Sequence, residues 1–316
     1  MTTDEFIDRD FPGTGKSVGI LGVPLGFAAS TIGSELGPQA IRQQKLKERI
    51  ETLGYTVRDY GDLNLQHPER AVEPGENPRY LREMVEASDL ICPSVSNIFR
   101  ETNIPVILGG DHSIAMATLS GVASHYHIKK QEIGLIWFDA HADINTPESS
   151  PSGNLHGMPL AVLFGRGDEQ LTNLCGFSPK LNPKYCAHVG TRDLDLGEKR
   201  IIRELGLRCF TMSEIDRRGM DACMTDALAI ATQAPGGFAV TFDVDVLDPT
   251  DAPGSGTLVR GGISYREAHL ALERTAESGK MRSFEIVEVN PTLDTNNRTA
   301  ELAVELILSA LGKTIL

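Results

Sequence analysis

The sequence predicts a single α/β domain in three layers, α/β/α, around a central, mostly parallel sheet of eight strands. Short β-branched runs alternate with long helical patterns, the signature of parallel strands joined through helices. Several runs, Gly134-Leu-Ile-Trp-Phe138 among them, are apolar without a break, as strands covered on both faces must be. The chain has 316 residues, 41% hydrophobic and 23% charged, which suits one large core and is too apolar for a disordered chain. No internal repeat divides it, so the domain is expected over 1–316, with 1–15 set apart as a flexible N-terminal segment.

The elements follow in order. Residues 17–23 (SVGILGV) read as the first strand, 37–53 as a helix and 56–60 as a strand. A loop-like stretch over 61–78 runs into a helix over 77–101, then the strand 104–109 (IPVILG) and a helix over 113–126. The strand 133–139 (IGLIWFD) is followed by a loop, 144–158, rich in Pro, Ser and Gly. A long loop after a strand end is where α/β enzymes keep their chemistry. The strand 184–190, the helix 196–205 and the strand 207–211 come next. A helix over 220–233, the strand 237–243 (GFAVTFD), a helix over 264–278 and the strand 281–288 (MRSFEIVE) continue the alternation. The final helix, 299–312, carries apolar residues at helical spacing and stops at Gly312.

Composition removes several functions. With 43 Asp+Glu against 30 Lys+Arg the net charge is −13, which disfavours nucleic acid as a partner. No run approaches the roughly 20 apolar residues of a membrane span. The acidic start, Met1-Thr-Thr-Asp-Glu-Phe, has no apolar signal core, so a cytoplasmic location is expected. Cysteines at 92, 175, 186, 209 and 223 form no Cys-x-x-Cys pair and read as small buried thiols rather than a disulfide framework or a thiolate zinc site. Neither a Walker A nor a G-x-G-x-x-G motif is present.

Acids and histidines collect where three strands end. Gly109-Gly-Asp-His112-Ser follows one strand, Trp137-Phe-Asp139-Ala-His141-Ala-Asp143 a second, and Thr241-Phe-Asp243-Val-Asp245 a third. In extended backbone, residues i, i+2 and i+4 share a face, so Asp139, His141 and Asp143 would project together, as would Asp243 and Asp245. Left alone, such a cluster would repel and suffer desolvation; a bound cation removes both problems. With His112 it offers four carboxylates and two imidazoles, too many for one tetrahedral zinc. The set suits Mn²⁺ or a similar octahedral ion, and its size suits two ions with shared carboxylates. A binuclear metallohydrolase is expected.

These segments resemble the ureohydrolase family of arginases and agmatinases, and the resemblance runs nearly the whole chain. It begins at Gly19-Ile-Leu-Gly-Val-Pro and Gly33-Ser-Glu-Leu-Gly-Pro-Gln-Ala-Ile-Arg42 and ends at Glu288-Val-Asn-Pro291. The loop Asp143-Ile-Asn145-Thr-Pro-Glu-Ser-Ser-Pro-Ser152-Gly-Asn154-Leu-His156-Gly is similar to the substrate loop of arginases, where agmatinases carry a different one. Gly190-Thr-Arg-Asp193-Leu-Asp195-Leu-Gly-Glu198 is a further arginase-like segment.

The resemblance implies an arginase-like version of the predicted fold and two Mn²⁺ per subunit. One ion would be held by His112, Asp139, Asp143 and Asp243, the other by Asp139, His141, Asp243 and Asp245. It further implies that a metal-bridging hydroxide, oriented by Asp143, attacks the guanidinium carbon of L-arginine to give urea and L-ornithine. Glu288 would pair with the guanidinium and His156 would shuttle the proton to the leaving amine. Asn145 and Ser152, within a loop that also carries Asn154, would receive the α-carboxylate, and Asp195 and Glu198 the α-ammonium; Thr257 would stand near the guanidinium. Family members assemble as trimers or hexamers, so a homotrimer or homohexamer is expected.

Other readings stand beside this one. An agmatinase or another guanidino-acid ureohydrolase would keep the metals and Glu288 without needing Asn145 and Ser152, and a silent regulatory homologue would be expected to lose ligands. His67, His125, His127, His188 and His269 lack an acid at ligand spacing and read as structural. Two departures are visible: Val246 stands where the family usually has glycine, and Leu258-Val259-Arg260 where Pro-Val-Val is common. Val246 would crowd the site if its position required a positive φ.

Overall fold

In the computed structural model, which describes residues 11–315, eight strands line up as one sheet in which every pairing is parallel. The strands are β1 (Ser17–Val23), β2 (Thr56–Asp62), β3 (Ile104–Gly109), β4 (Gly134–Phe138), β5 (Cys186–Val189), β6 (Arg208–Phe210), β7 (Phe238–Asp243) and β8 (Met281–Val287). Their order across the sheet is β2-β1-β3-β8-β7-β4-β5-β6.

Eleven α-helices are described: α1 (Gly37–Gln43), α2 (Leu46–Glu51), α3 (Leu81–Ile98), α4 (Ala115–Ile128), α5 (Pro159–Leu163), α6 (Glu169–Thr172), α7 (Leu196–Leu205), α8 (Met212–Arg218), α9 (Met220–Ala231), α10 (Tyr265–Glu277) and α11 (Arg298–Ala310). They divide between the two faces of the sheet. On one face Ile136 and Phe138 of β4 join a core with α1, α2 and α8 to α11. On the other, Leu135 and Trp137 of the same strand join a core with α3 to α7. Alternate residues of one strand thus enter different cores, which is why the strand is apolar throughout.

Differences from the expected elements have local causes. The helix over 37–53 breaks in two at Lys45, whose φ is 59°. No glycine marks that left-handed turn in the sequence. The helix expected from 77 begins at Leu81, because the preceding residues pack on the 144–158 loop instead. Asn77 Nδ2 donates to Pro147 O at 2.6 Å and the Arg79 amide to Gly153 O at 2.9 Å. The helices α5, α6 and α8 are too short to carry a readable apolar period. Residues 1–10, most of the N-terminal segment set apart above, lie outside the described residues. Gly13 is tied by its amide to Leu53 O at 3.0 Å. Among the described residues no helix is long and apolar enough to cross a membrane.

Candidate metal centre

Four adjacent strands at the middle of the sheet, β3, β8, β7 and β4, carry the acids and histidines at their C-terminal ends. His112 opens a short 3-10 turn just after β3, Asp139 directly follows β4, Asp243 ends β7, and Glu288 directly follows β8. His112 Nδ1 lies 3.1 Å from Asp139 Oδ2, 3.1 Å from Asp143 Oδ2 and 3.2 Å from Asp243 Oδ2. His141 Nδ1 lies 3.4 Å from Asp139 Oδ1 and 3.1 Å from Asp245 Oδ2. Two ligand-like sets result, His112/Asp139/Asp243 and Asp139/His141/Asp245, which share Asp139 and have donor atoms within 4.8 Å of one another. All six residues singled out in the sequence therefore meet, Asp143 through its contact with His112.

They do not meet as one face of an extended strand, as expected above. β4 ends at Phe138, and the chain turns at once: the His141 amide donates to Asp139 Oδ1 at 2.8 Å. Asp143 then adopts a left-handed φ of 50°. After β7 the Asp245 amide donates to Asp243 Oδ1 at 2.8 Å and opens another 3-10 turn. Carboxylates that accept from the amide two residues on form side-chain turns, and these aim the acids inward.

Burial and mutual charge set the protonation of the cluster. Burial pushes the carboxyls of Asp243 and Asp245 up, and the charges of neighbouring acids add to it. Asp143 is raised to about 6 by burial and by Asp139. Burial acts on Asp139 too, but His112 and His141 outweigh it and hold that carboxyl well below its ordinary range. Burial opposes charge on both imidazoles, yet the carboxylates facing them hold His112 and His141 well above the usual histidine range. Without a cation the group keeps protons that a bound dication would displace.

His112 provides the test of fit. Its Nδ1 is buried and makes no hydrogen bond, although three carboxylate oxygens converge on it. Its Nε2 is 3.1 Å from Thr241 Oγ1, and that hydroxyl donates to Glu285 Oε1 at 2.9 Å. Thr118 donates to the other oxygen of Glu285. With the threonine proton committed to Glu285, Thr241 Oγ1 accepts from Nε2–H, so Nδ1 is the atom that faces the cluster and would offer its lone pair once a cation displaces its proton. An aimed imidazole lone pair among carboxylates fits a divalent cation with mixed N/O ligands. Trp137 stacks on the ring at 4.2 Å and donates Nε1–H to Asp139 Oδ2 at 2.9 Å, so one side chain holds two ligands.

Of the residues expected at the substrate, Glu288 and Thr257 contact this cluster directly. Glu288 has a left-handed φ of 64°, and its Oε1 accepts from the His112 amide at 2.9 Å. His156 Nδ1 lies 3.4 Å from the same oxygen. Burial opposes its charge, but the Glu288 hydrogen bond and the charges of Glu288, Asp143 and Asp111 raise it to about 9. Asn145 Nδ2 donates to Asp195 Oδ2 at 2.7 Å. Asp195 and Glu198 form a reciprocal cap on α7, at 2.9 and 3.1 Å, and burial raises Glu198 to about 7. Asn154 is turned toward Arg79 Nη1 at 2.9 Å and Ser30 Oγ at 2.6 Å, while Ser152 is exposed and accepts from the Asn154 amide. Thr257 donates to Asp245 Oδ2 at 2.9 Å, which ties it to a ligand carboxylate.

Several supporting residues escaped the sequence reading. The Arg192 guanidinium donates to the carbonyls of Asp245, Val246, Leu247 and Val259, fastening the loop after β7. Thr241 stands two residues before Asp243, a spacing that offered a signal; Glu285, an acid inside an apolar strand, offered another. Asp111 accepts from the Ala28 amide at 2.9 Å and the Ser113 amide at 3.0 Å, anchoring the His112 turn. Val246 is fully buried without a positive φ, so the crowding feared there does not arise. Its Cγ2 fills the space beside Gly190, where a Cβ would lie 2.3 Å away.

Comparison with known proteins adds three findings. The profile of the arginase family matches residues 16–312. The arginases of Bacillus caldovelox and Bacillus subtilis (strain 168) are each 44% identical, over 302 and 301 residues, covering 95% of this chain and 100% and 99% of theirs. Among solved structures, Bacillus caldovelox arginase superposes with a TM-score of 0.90 at 44% identity, over 95% of this chain and 100% of that one. Entamoeba histolytica arginase, solved with L-ornithine, superposes at 0.86 and 29% identity, over 94% of this chain and 99% of its own.

Proposed function

The chain belongs to the arginase family, and from that premise we propose that it hydrolyses L-arginine to L-ornithine and urea. The observation that carries this reading is the pair of ligand sets sharing Asp139, with Glu288 and His156 alongside. Two Mn²⁺ ions, one held by His112, Asp139, Asp143 and Asp243 and the other by Asp139, His141, Asp243 and Asp245, would act as Lewis acids and bring a water's pKa near neutrality.

The chain's own residues then have distinct tasks. Glu288 offers a buried carboxylate to the planar donors of the guanidinium, which favours a paired geometry. Its left-handed backbone turns that carboxylate back over the end of β3, against the His112 amide. His156, held protonated beside it, delivers a proton to the leaving amine. Asn145, Ser152 and Asn154 take the α-carboxylate end of the substrate, and Asp195 and Glu198 its α-ammonium. Thr257 and Asp143 hold the reacting end in register through their contacts with Asp245 and His112. The protein is inferred to work in the cytoplasm as a homotrimer or homohexamer. Support for the amino-acid substrate comes from the arginase-like 144–158 loop and from the Entamoeba histolytica relative solved with L-ornithine.

The test is urea release from Mn²⁺-loaded protein offered L-arginine, agmatine and 4-guanidinobutyrate. L-arginine is expected to give the highest kcat/KM; a preference for either of the others would overturn the assignment.

A further inference from the structure

We propose that Arg79 is a positioning residue for substrate choice, acting through the 144–158 loop to favour a guanidino substrate that carries an α-carboxylate. The inference rests on the arginine-hydrolase reading above and adds a residue from outside that loop. Arg79 stands two residues before α3. Its amide donates to Gly153 O at 2.9 Å and its Nη1 to Asn154 Oδ1 at 2.9 Å, so backbone and side chain grip adjacent loop residues. Asn77 adds a third tie, from Nδ2 to Pro147 O at 2.6 Å. Asn154 passes the contact on, since its Nδ2 donates to Ser30 Oγ at 2.6 Å. Both ends of that side-chain amide are committed, which fixes Asn154. Its backbone amide donates in turn to Ser152 Oγ at 3.2 Å, so two expected carboxylate receivers are placed together.

The segment that carries Arg79 is itself fastened. Arg70 donates to both oxygens of Glu76, each at 2.8 Å, and to both oxygens of Glu83 in α3, at 2.6 and 2.9 Å. Glu76 Oε1 also accepts from the Tyr80 amide at 2.7 Å. Arg70 thus takes the two nearby acids, and among the described residues no carboxylate forms an ion pair with Arg79. The Arg79 guanidinium is left to serve the loop. Arg79, Asn154 and Ser30 line a cavity of about 560 Å³, with Phe27 and Tyr80 on its wall. Arg79 is half-buried there, so trimming it removes the contact to Asn154 without emptying a sealed core.

The rest of the loop is held by other means. Near its start the Asn145 amide donates to Gly157 O at 3.0 Å, and Asn145 Nδ2 donates to Asp195. Near its end the His156 amide donates to Ala28 O at 3.4 Å, and the imidazole lies against Glu288. Neither anchor uses Arg79. Loosening residues 152–154 therefore spares the guanidinium end of the substrate and the proton donor, and costs hydrogen bonds to the α-carboxylate. Losing one such charge-assisted bond weakens binding about tenfold. Agmatine has the same guanidinium and chain without the carboxylate, so it has no such bond to lose.

The experiment measures kcat and KM of the Mn²⁺-loaded protein with L-arginine, and the affinity for agmatine as a substrate or as a competitive inhibitor. Arg79→Ala is expected to raise the KM for L-arginine about tenfold, keep kcat within about twofold and leave the agmatine affinity unchanged. Arg79→Lys, which keeps a donor for Asn154 Oδ1, should recover part of the loss. In an Asn154→Ala background Arg79→Ala should raise KM no further, because the two side chains act along one path. An equal loss for both ligands, an unchanged KM for L-arginine, or additive effects of the two substitutions would overturn the inference. Wild-type protein that released no urea from L-arginine would instead remove the reading on which it rests. If Arg79→Ala does not fold, Arg79→Lys decides the matter by the same split between the two ligands.

Discussion

Glu288 Oε1 accepts from the His112 amide and lies 3.4 Å from His156 Nδ1, so one carboxylate oxygen connects a metal-ligand turn to the proposed proton donor. Among the described residues the ion pair of His156 is with Glu288 and not with any of the six ligands expected to hold metal, which separates its role from theirs. His156→Asn is expected to lower kcat by about 100-fold, the usual scale for a lost general acid. Metal content by mass spectrometry should stay at the wild-type level; unchanged turnover would remove the shuttle role. The ligands themselves predict a pH effect on binding. His112 and His141 are held protonated and Asp143 is raised to about 6 in the metal-free protein, so Mn²⁺ must displace protons. Affinity should therefore rise with pH, about tenfold per pH unit for each proton released, most steeply below about pH 6, where Asp143 also gives up a proton, and less steeply through neutral pH, where the two imidazoles alone do so. Titration calorimetry in buffers of different ionisation enthalpy reads that release directly, and a flat affinity would contradict it. The ligand types were legible in the sequence because acids and histidines have no other reason to crowd apolar strand ends. Their aim was not legible, since it depends on turns at Asp139 and Asp243 and on the left-handed Asp143.

At the scale of elements, the loop after β7 depends on its neighbour after β5. Gly190 has a φ of 99°, and a Cβ there would meet Val246 Cγ2 at 2.3 Å. Gly190→Ala is expected to cost about 2–4 kcal/mol, combining the left-handed penalty with overpacking. Adding Val246→Ala should recover part of it, with a coupling of about 1 kcal/mol or more in a denaturant double-mutant cycle. Simple additivity would mean that the two side chains do not compete for that space. This pairing also shows where reading the sequence stopped short. Val246 stood out as a departure from the family, but the compensating Gly190 lies on another strand's exit and no local pattern joins them. The central strands were legible because each is a dense apolar run; the edge strands β2, with Arg58, Asp59 and Asp62, and the three-residue β6 are not. Short α5, α6 and α8 were not, and the break at Lys45 carries no glycine to announce it.

Taken as a whole, the molecule places its chemistry where four central strands end side by side, and the two apolar cores on either face hold those strands in register. Strand order is what brings residues 112, 139, 243 and 288 together from far apart in sequence, and it follows from how helices cross the sheet rather than from any motif. Part of the net charge of −13 resides in this centre, where four ligand carboxylates are gathered. The central claim is that these carboxylates and two imidazoles form one site for two cations. Anomalous diffraction from crystals equilibrated with Mn²⁺ tests it most directly. Two peaks about 3.5–4 Å apart, one beside His112 and one beside His141 with Asp139 between them, are the predicted result. A single peak, or none within reach of both histidines, would contradict it.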